Sequence, residues 1–127
     1  MIDVKVLHRL TDVSWHVLQL ESCSSTMDYL QSLAPQLGVT EPGLIVAERQ
    51  TSGRGRQGRI WNETVSALYM TLVFCLPDKP LDLSGYSLVA GCALQAVLER
   101  RGALTLLKWP NDILDAQGKK LGGILIE

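Results

Sequence analysis

The residues best equipped for chemistry lie in one run, Gln50-Thr51-Ser52-Gly53-Arg54-Gly55-Arg56-Gln57-Gly58-Arg59-Ile60-Trp61. Glycines at 53, 55 and 58 permit positive φ and close approach of backbone N–H groups to a ligand, and the arginines between them supply rigid, permanently charged forks. That pairing suits an anion. Alternating Gly and Arg favours neither helix nor strand, which predicts a mobile loop until bound charge neutralises it. Taken alone, the run reads equally as a solvated basic loop or a patch for nucleic-acid phosphates.

Three further stretches carry polar groups suited to a site: Ser25-Thr26 before a helical pattern, Lys108-Trp109-Pro110-Asn111-Asp112, and Lys120-Leu121-Gly122-Gly123-Ile124-Leu125. Ser and Thr at a helix start cap its free N–H groups, and Asn-Asp is common in turns, so neither stretch means much by itself. Together, and in this order, the four stretches resemble the biotin protein ligases, from about Val17 to the last residue.

The resemblance implies formation of biotinyl-5'-AMP from biotin and ATP with Mg2+, then transfer of biotin to a lysine of a biotin carboxyl carrier protein. Ser25, Thr26 and Gln50 would hydrogen-bond the ureido head, and Gly53 and Arg54 would lie along the biotin. Arg56 and Arg59 would meet the phosphates. Trp61 would face the adenine or close the pocket, although core packing suits it nearly as well. Asn111 would read an adenine edge, and Asp112 would support magnesium or orient a lysine. Lys120 would be the catalytic cation between the carboxylate and the α-phosphate, and Gly123 would let the ligand approach the backbone. No resident metal site is expected. The Ser-Pro-x-Gly turn usual after the loop is missing between Trp61 and Leu68.

Two other readings compete. A lipoate-type acyl-adenylate ligase shares the fold, but its arginine pair and Ser-Gly-Gly loop are not seen. A fragment that binds biotin or ATP without turning it over would carry the same motifs.

The rest of the chain must position these groups. Its 127 residues suffice for one domain with a real core, and 46% hydrophobic with 20% charged residues is a globular composition. A net charge of -1 provides no general basic field, so neither a nucleic-acid partner nor an anionic membrane is expected. Cys23, Cys75 and Cys92 form no C-x-x-C pair and read as reduced, buried thiols. No signal-peptide core and no long apolar span occur, which suits a cytoplasmic protein.

Strands are expected over Val13–Leu20, with Val13, Trp15, Val17 and Gln19 on one side, and over Leu44–Ala47. A helix capped by Ser24 or Ser25 lies between them. Residues 67–76 should form a central strand. A helix capped by Asp82 or Ser84 should bury Leu88, Val89, Cys92, Ala93, Ala96 and Val97, and end at Gly102. A strand over 103–109 and a hairpin over 112–127, turning at 116–119, complete the pattern.

This gives an α+β fold with a mixed, mainly antiparallel sheet and helices on one face, similar to the core shared by biotin ligases and class II aminoacyl-tRNA synthetases. Residues 1–127 read as the N-terminal portion of that catalytic domain, truncated within its last strand and lacking a DNA-binding winged helix. The unfinished edge would allow pairing into a homodimer.

Overall fold

A computed structural model describes residues 15–33, 42–62, 67–74, 83 and 85–127. The first dozen residues, Val13, Pro35, Gly38, Glu63, Thr64, Cys75, residues 77–80 and the expected caps Asp82 and Ser84 lie outside these. The chain forms two compact units, residues 1–79 and 80–127.

The first unit is built on a three-stranded sheet ordered β1-β2-β5, with β1 His16–Cys23, β2 Gly43–Gln50 and β5 Tyr69–Val73. β2 is central among the described strands: it pairs parallel with β1 and antiparallel with β5. Its run Leu44, Ile45 and Ala47 is buried as expected. Among the described strands, β5 from the run expected to be central lies at the edge of this sheet. β5 alternates instead, Tyr69 and Thr71 buried while Met70 and Leu72 are exposed.

β1 also departs from expectation. It runs on to Cys23, because the parallel ladder continues through Ser22 with Arg49 and Cys23 with Gln50. Gln19 is exposed, and the half-buried positions are Val17, Leu18, Leu20 and Cys23. Helix α1, Thr26–Leu33, packs on β2 and β5 and buries Leu30. Ser25 caps it, its Oγ accepting from the N–H of Asp28 at 3.4 Å.

The basic run is not an open loop. Gly53–Arg54 (β3) and Ile60–Trp61 (β4) form a small antiparallel ladder across a 3-10 turn at Arg56–Gly58. Gly55 N donates to Arg59 O at 2.7 Å, and Gln57 and Gly58 turn the chain with φ of 59° and 71°. Of the three glycines in the run, only Gly58 uses a positive φ. Short-range pairing thus overrides a composition poor in strand formers.

The second unit packs helix α2, Tyr86–Arg100, on a three-stranded antiparallel sheet of β6 Thr105–Lys108, β7 Asp112–Asp115 and β8 Lys120–Gly123. α2 buries a stripe that shares only Leu88 with the one expected: Leu88, Gly91, Leu94 and Leu98 turn inward, while Val89, Cys92, Ala93, Ala96 and Val97 are exposed. The helix is apolar nearly all round, so periodicity did not single out a face. Gly91 decides it, since a Cβ there would come within 3.3 Å of a Leu107 methyl. Gly85 stands at the N-cap with no side-chain cap.

The C-terminus of α2 ends as expected at Gly102. Gly102 N bonds Glu99 O and Ala103 N bonds Leu98 O, both at 2.9 Å, a Schellman closure. The 116–119 turn is also as expected, with Gly118 at φ 83°. β8 stops at Gly123, however, and residues 124–127 add no strand. The antiparallel predominance holds, though the described strands form separate sheets and not one.

Candidate active site

Parallel pairing makes β1 and β2 exit at the same end of their sheet. Ser25-Thr26 leaves one strand and the basic hairpin leaves the other, so residues far apart in sequence meet. Gln50 Oε1 accepts from the backbone N–H of Thr26 at 2.9 Å and from its hydroxyl at 3.2 Å. Thr71 Oγ1, from β5, donates to Thr26 Oγ1 at 2.8 Å. Ser25, Thr26 and Gln50 are only 3%, 4% and 8% exposed. Three of the expected site residues therefore form one buried, uncharged cluster.

The backbone extends this junction. Thr51 N donates to Cys23 O at 3.0 Å and Ser52 N to Ser24 O at 2.8 Å, which fixes the base of the hairpin. Gly53 is closely hemmed in: a Cβ there would lie 2.5 Å from Gln50 Nε2 and 3.0 Å from Trp61 O. Arg54 Nη2 reaches Asp28 Oδ1 on α1 at 2.5 Å, tying hairpin to helix. Arg56 and Arg59 point outward, with no ion pair to either among the described residues. Trp61 is half-buried.

Thr71 and Asp28 did not emerge from the sequence. Thr71 carried a signal, being the one aliphatic hydroxyl in the apolar run 67–76. Asp28 carried no such signal, since an acidic residue in the first turn of a helix is commonplace and suits the helix dipole.

The second unit holds the other expected residues. Lys120 Nζ sits 2.6 Å from Asp112 Oδ1, both partly exposed. Asn111 does a structural job, its Nδ2 donating to Ile124 O and its O accepting from Ile124 N, each at 2.9 Å. Gly123 pairs with Asp112 across the ladder. Pro110 lies in the turn after β6, where its carbonyl accepts from Ser87 Oγ at 2.9 Å.

Burial pushes the Cys23 thiol above its ordinary range. Cys92 is exposed, contrary to expectation, and both are free. Among the described residues no group of three or more His, Cys, Asp or Glu could hold a metal ion, and no helix is long and apolar enough to cross a membrane. A cavity of about 250 Å³ lies at the far end of β1 and β2, between His16, Leu18, Leu30 and Leu44, away from the polar cluster.

Residues 20–127 match the model of the biotin/lipoate A/B protein ligase family. The chain belongs to that family. It is 38% identical over 115 residues to the bifunctional ligase/repressor BirA of Bacillus subtilis, covering 88% of this chain and 34% of the relative. Against the biotin--[acetyl-CoA-carboxylase] ligase of Mycobacterium tuberculosis it is 42% identical over 90 residues, 66% of this chain and 34% of that protein.

Among solved ligase structures, the biotin acetyl coenzyme A carboxylase synthetase of Helicobacter pylori with bound biotinylated ATP superposes with a TM-score of 0.78 at 34% identity. It covers 90% of this chain and 55% of that one. The biotin protein ligase of Leishmania major in complex with biotinyl-5-AMP gives 0.73 at 33% identity, covering 88% and 51%. The biotin ligase-like fold is thereby established. The chain spans about a third of the length of the curated relatives it matches.

Proposed function

We propose that this chain carries the biotin-activating chemistry of a biotin protein ligase: biotin and ATP, delivered as its magnesium complex, give biotinyl-5'-AMP and pyrophosphate, and a carrier-protein lysine then takes the biotin. The observation that carries this reading is the buried Ser25-Thr26-Gln50 cluster. A urea is a neutral group with one acceptor and two donors, and a set of hydroxyls and a carboxamide satisfies it without burying a charge. Relatives whose structures hold biotinyl-5-AMP or biotinylated ATP support the same assignment.

The remaining residues divide the work by their chemistry. Arg56 and Arg59, on the exposed turn of the hairpin, have the bidentate geometry that phosphates require. Arg54, held by Asp28, fixes the hairpin beside the cluster, with Gly53 along the biotin. Lys120 supplies the point charge that offsets the negative carboxylate and α-phosphate as they approach. Asp112, salt-bridged to it, orients that ammonium. Asn111, Trp61 and Gly123 belong to the adenylate pocket in this reading. The partner is a biotin carboxyl carrier protein, and two copies pair along an open sheet edge.

The test is mass spectrometry of the purified chain with magnesium ATP and either biotin or lipoate. Biotinyl adenylate is expected; lipoyl adenylate alone would overturn the substrate. Lys120→Ala should abolish adenylate formation while leaving biotin binding partly intact. Arg56→Gly should weaken retention of the adenylate more than binding of biotin, and equal weakening of both would remove Arg56 from the phosphate site.

A further inference from the structure

Thr71 is placed by β5, forty-five residues beyond Thr26 in the chain, yet the two hydroxyls are 2.8 Å apart. The backbone N–H of Thr26 can only donate, so the atom of Gln50 facing it at 2.9 Å must be the carboxamide oxygen. That oxygen also lies 3.2 Å from Thr26 Oγ1, which donates its single proton there. With that proton committed, Thr26 Oγ1 can meet Thr71 only as an acceptor, and Thr71 donates. The result is a one-way relay from Thr71 through Thr26 to Gln50. It saturates the Gln50 oxygen with two donors and leaves its NH2 group to face a ligand.

Thr71 is buried, so no solvent competes for its proton. A buried hydroxyl whose rotor is fixed this way costs less to order when a ligand arrives. Without Thr71, the lone pairs of Thr26 Oγ1 lose their donor at a residue only 4% exposed, and its proton is free to turn from Gln50.

We propose that Thr71 is a positioning residue of the ureido subsite, acting through Thr26 to set which way the Thr26–Gln50 pair presents its donors. The inference rests on the biotin reading above and adds a determinant outside the four sequence motifs.

The experiment measures the Kd of biotin, and of desthiobiotin, which keeps the urea and lacks the sulfur, by calorimetry on wild type, Thr71→Val, Thr71→Ser, Thr26→Ala and Thr71→Val/Thr26→Ala, with Tm recorded for each. Val preserves shape and removes the hydroxyl; Ser keeps the hydroxyl and removes a methyl. Thr71→Val is expected to weaken both ligands about tenfold, the equivalent of one well-formed hydrogen bond. Thr71→Ser should lose Tm while keeping wild-type affinity, which a merely structural role would not allow. In the Thr26→Ala background the Val substitution should add less than twofold. Equal affinity of wild type and Thr71→Val, or affinity of the Ser variant falling with its Tm, overturns the inference alone. Failure of wild type to bind either ligand overturns the biotin reading and this inference with it.

Discussion

Gln50 and Thr26 bridge two strand exits through a single oxygen: Oε1 of Gln50 takes both the backbone N–H and the hydroxyl of Thr26. Two jobs are combined in one side chain. The carbonyl satisfies the first free N–H of α1, and the NH2 group is left for a ligand. Substitution can separate them. Gln50→Glu, measured at about pH 5 where a carboxyl buried among these uncharged groups stays protonated, keeps an acceptor for Thr26 and removes the NH2 donor, so stability should hold within about 1 kcal/mol while biotin affinity falls by tenfold or more. Gln50→Ala strands a buried N–H and should cost about 1–3 kcal/mol as well as affinity. Thermal unfolding beside calorimetry reads both. If Glu and Ala lost stability equally, the two jobs could not be separated.

Gly53 is set by the packing around it. An Ala Cβ would press on the Gln50 amide at 2.5 Å and on the Trp61 backbone oxygen at 3.0 Å, and the latter cannot swing aside. Gly53→Ala is expected to cost about 1–3 kcal/mol through overpacking and to displace Gln50, lowering biotin affinity as well. Gly55 is the natural comparison, because its nearest neighbour would be Arg59 O at an ordinary 3.4 Å. Urea unfolding of Gly55→Ala should therefore show a change smaller than half that of Gly53→Ala. The reverse order would mean that flexibility in the turn matters more than contact at the base.

Which of these features the sequence revealed depends on how locally each is determined. The Ser25 cap, the Gly102 closure and the Gly118 turn each rest on a few adjacent residues, and all were legible. So was buried β2, an apolar β-branched run. The inward face of α2 was not, because Val89, Cys92 and Val97 are as apolar as Leu88, Leu94 and Leu98; only packing against Leu107 distinguishes them. The hairpin at Gly53–Trp61 was missed for the opposite reason, since its composition argues against strands and its stability comes from a cross-pair with Trp61. For the site, motif residues were visible as a pattern. Thr71 and Asp28 became visible only in three dimensions, because parallel pairing of β1 and β2 brings Thr26 to Gln50 and β5 then supplies the third hydroxyl.

Cys23 and Cys92 should be chemically distinguishable. Burial raises the Cys23 thiol's pKa, disfavouring the thiolate that alkylating reagents need, while Cys92 lies exposed on α2. Iodoacetamide labelling followed by peptide mass spectrometry at pH 8 should modify Cys92 first. The sign for stability follows from the same shift. A pKa raised in the folded state means the fold favours the protonated thiol, so its contribution is complete below the unfolded thiol's pKa and declines as pH climbs through the higher folded value. Cys23→Ser should flatten that alkaline decline. Faster labelling at Cys23 would contradict the assignment.

Thr105 offers a stability test that leaves the proposed site alone. Its side chain is 1% exposed, and Oγ1 finds no hydrogen-bond partner among the described residues. The backbone at the same residue is well served, its carbonyl accepting from Gln95 Nε2 at 2.6 Å. Burying a hydroxyl without a partner forfeits the hydrogen bonds it made to water, a penalty of about 1–3 kcal/mol, whereas a methyl in the same space carries none. Val has nearly the same shape as Thr and an equal liking for strands, so Thr105→Val removes the penalty without opening a cavity. An increase of about 1 kcal/mol is expected, which corresponds to roughly 3–6 °C in Tm for a chain of this size. Thr105→Ala should instead destabilise, since it deletes a packed methyl together with the hydroxyl. A fall in Tm for the Val variant would show that the Thr105 hydroxyl is bonded after all, to a partner outside the described residues.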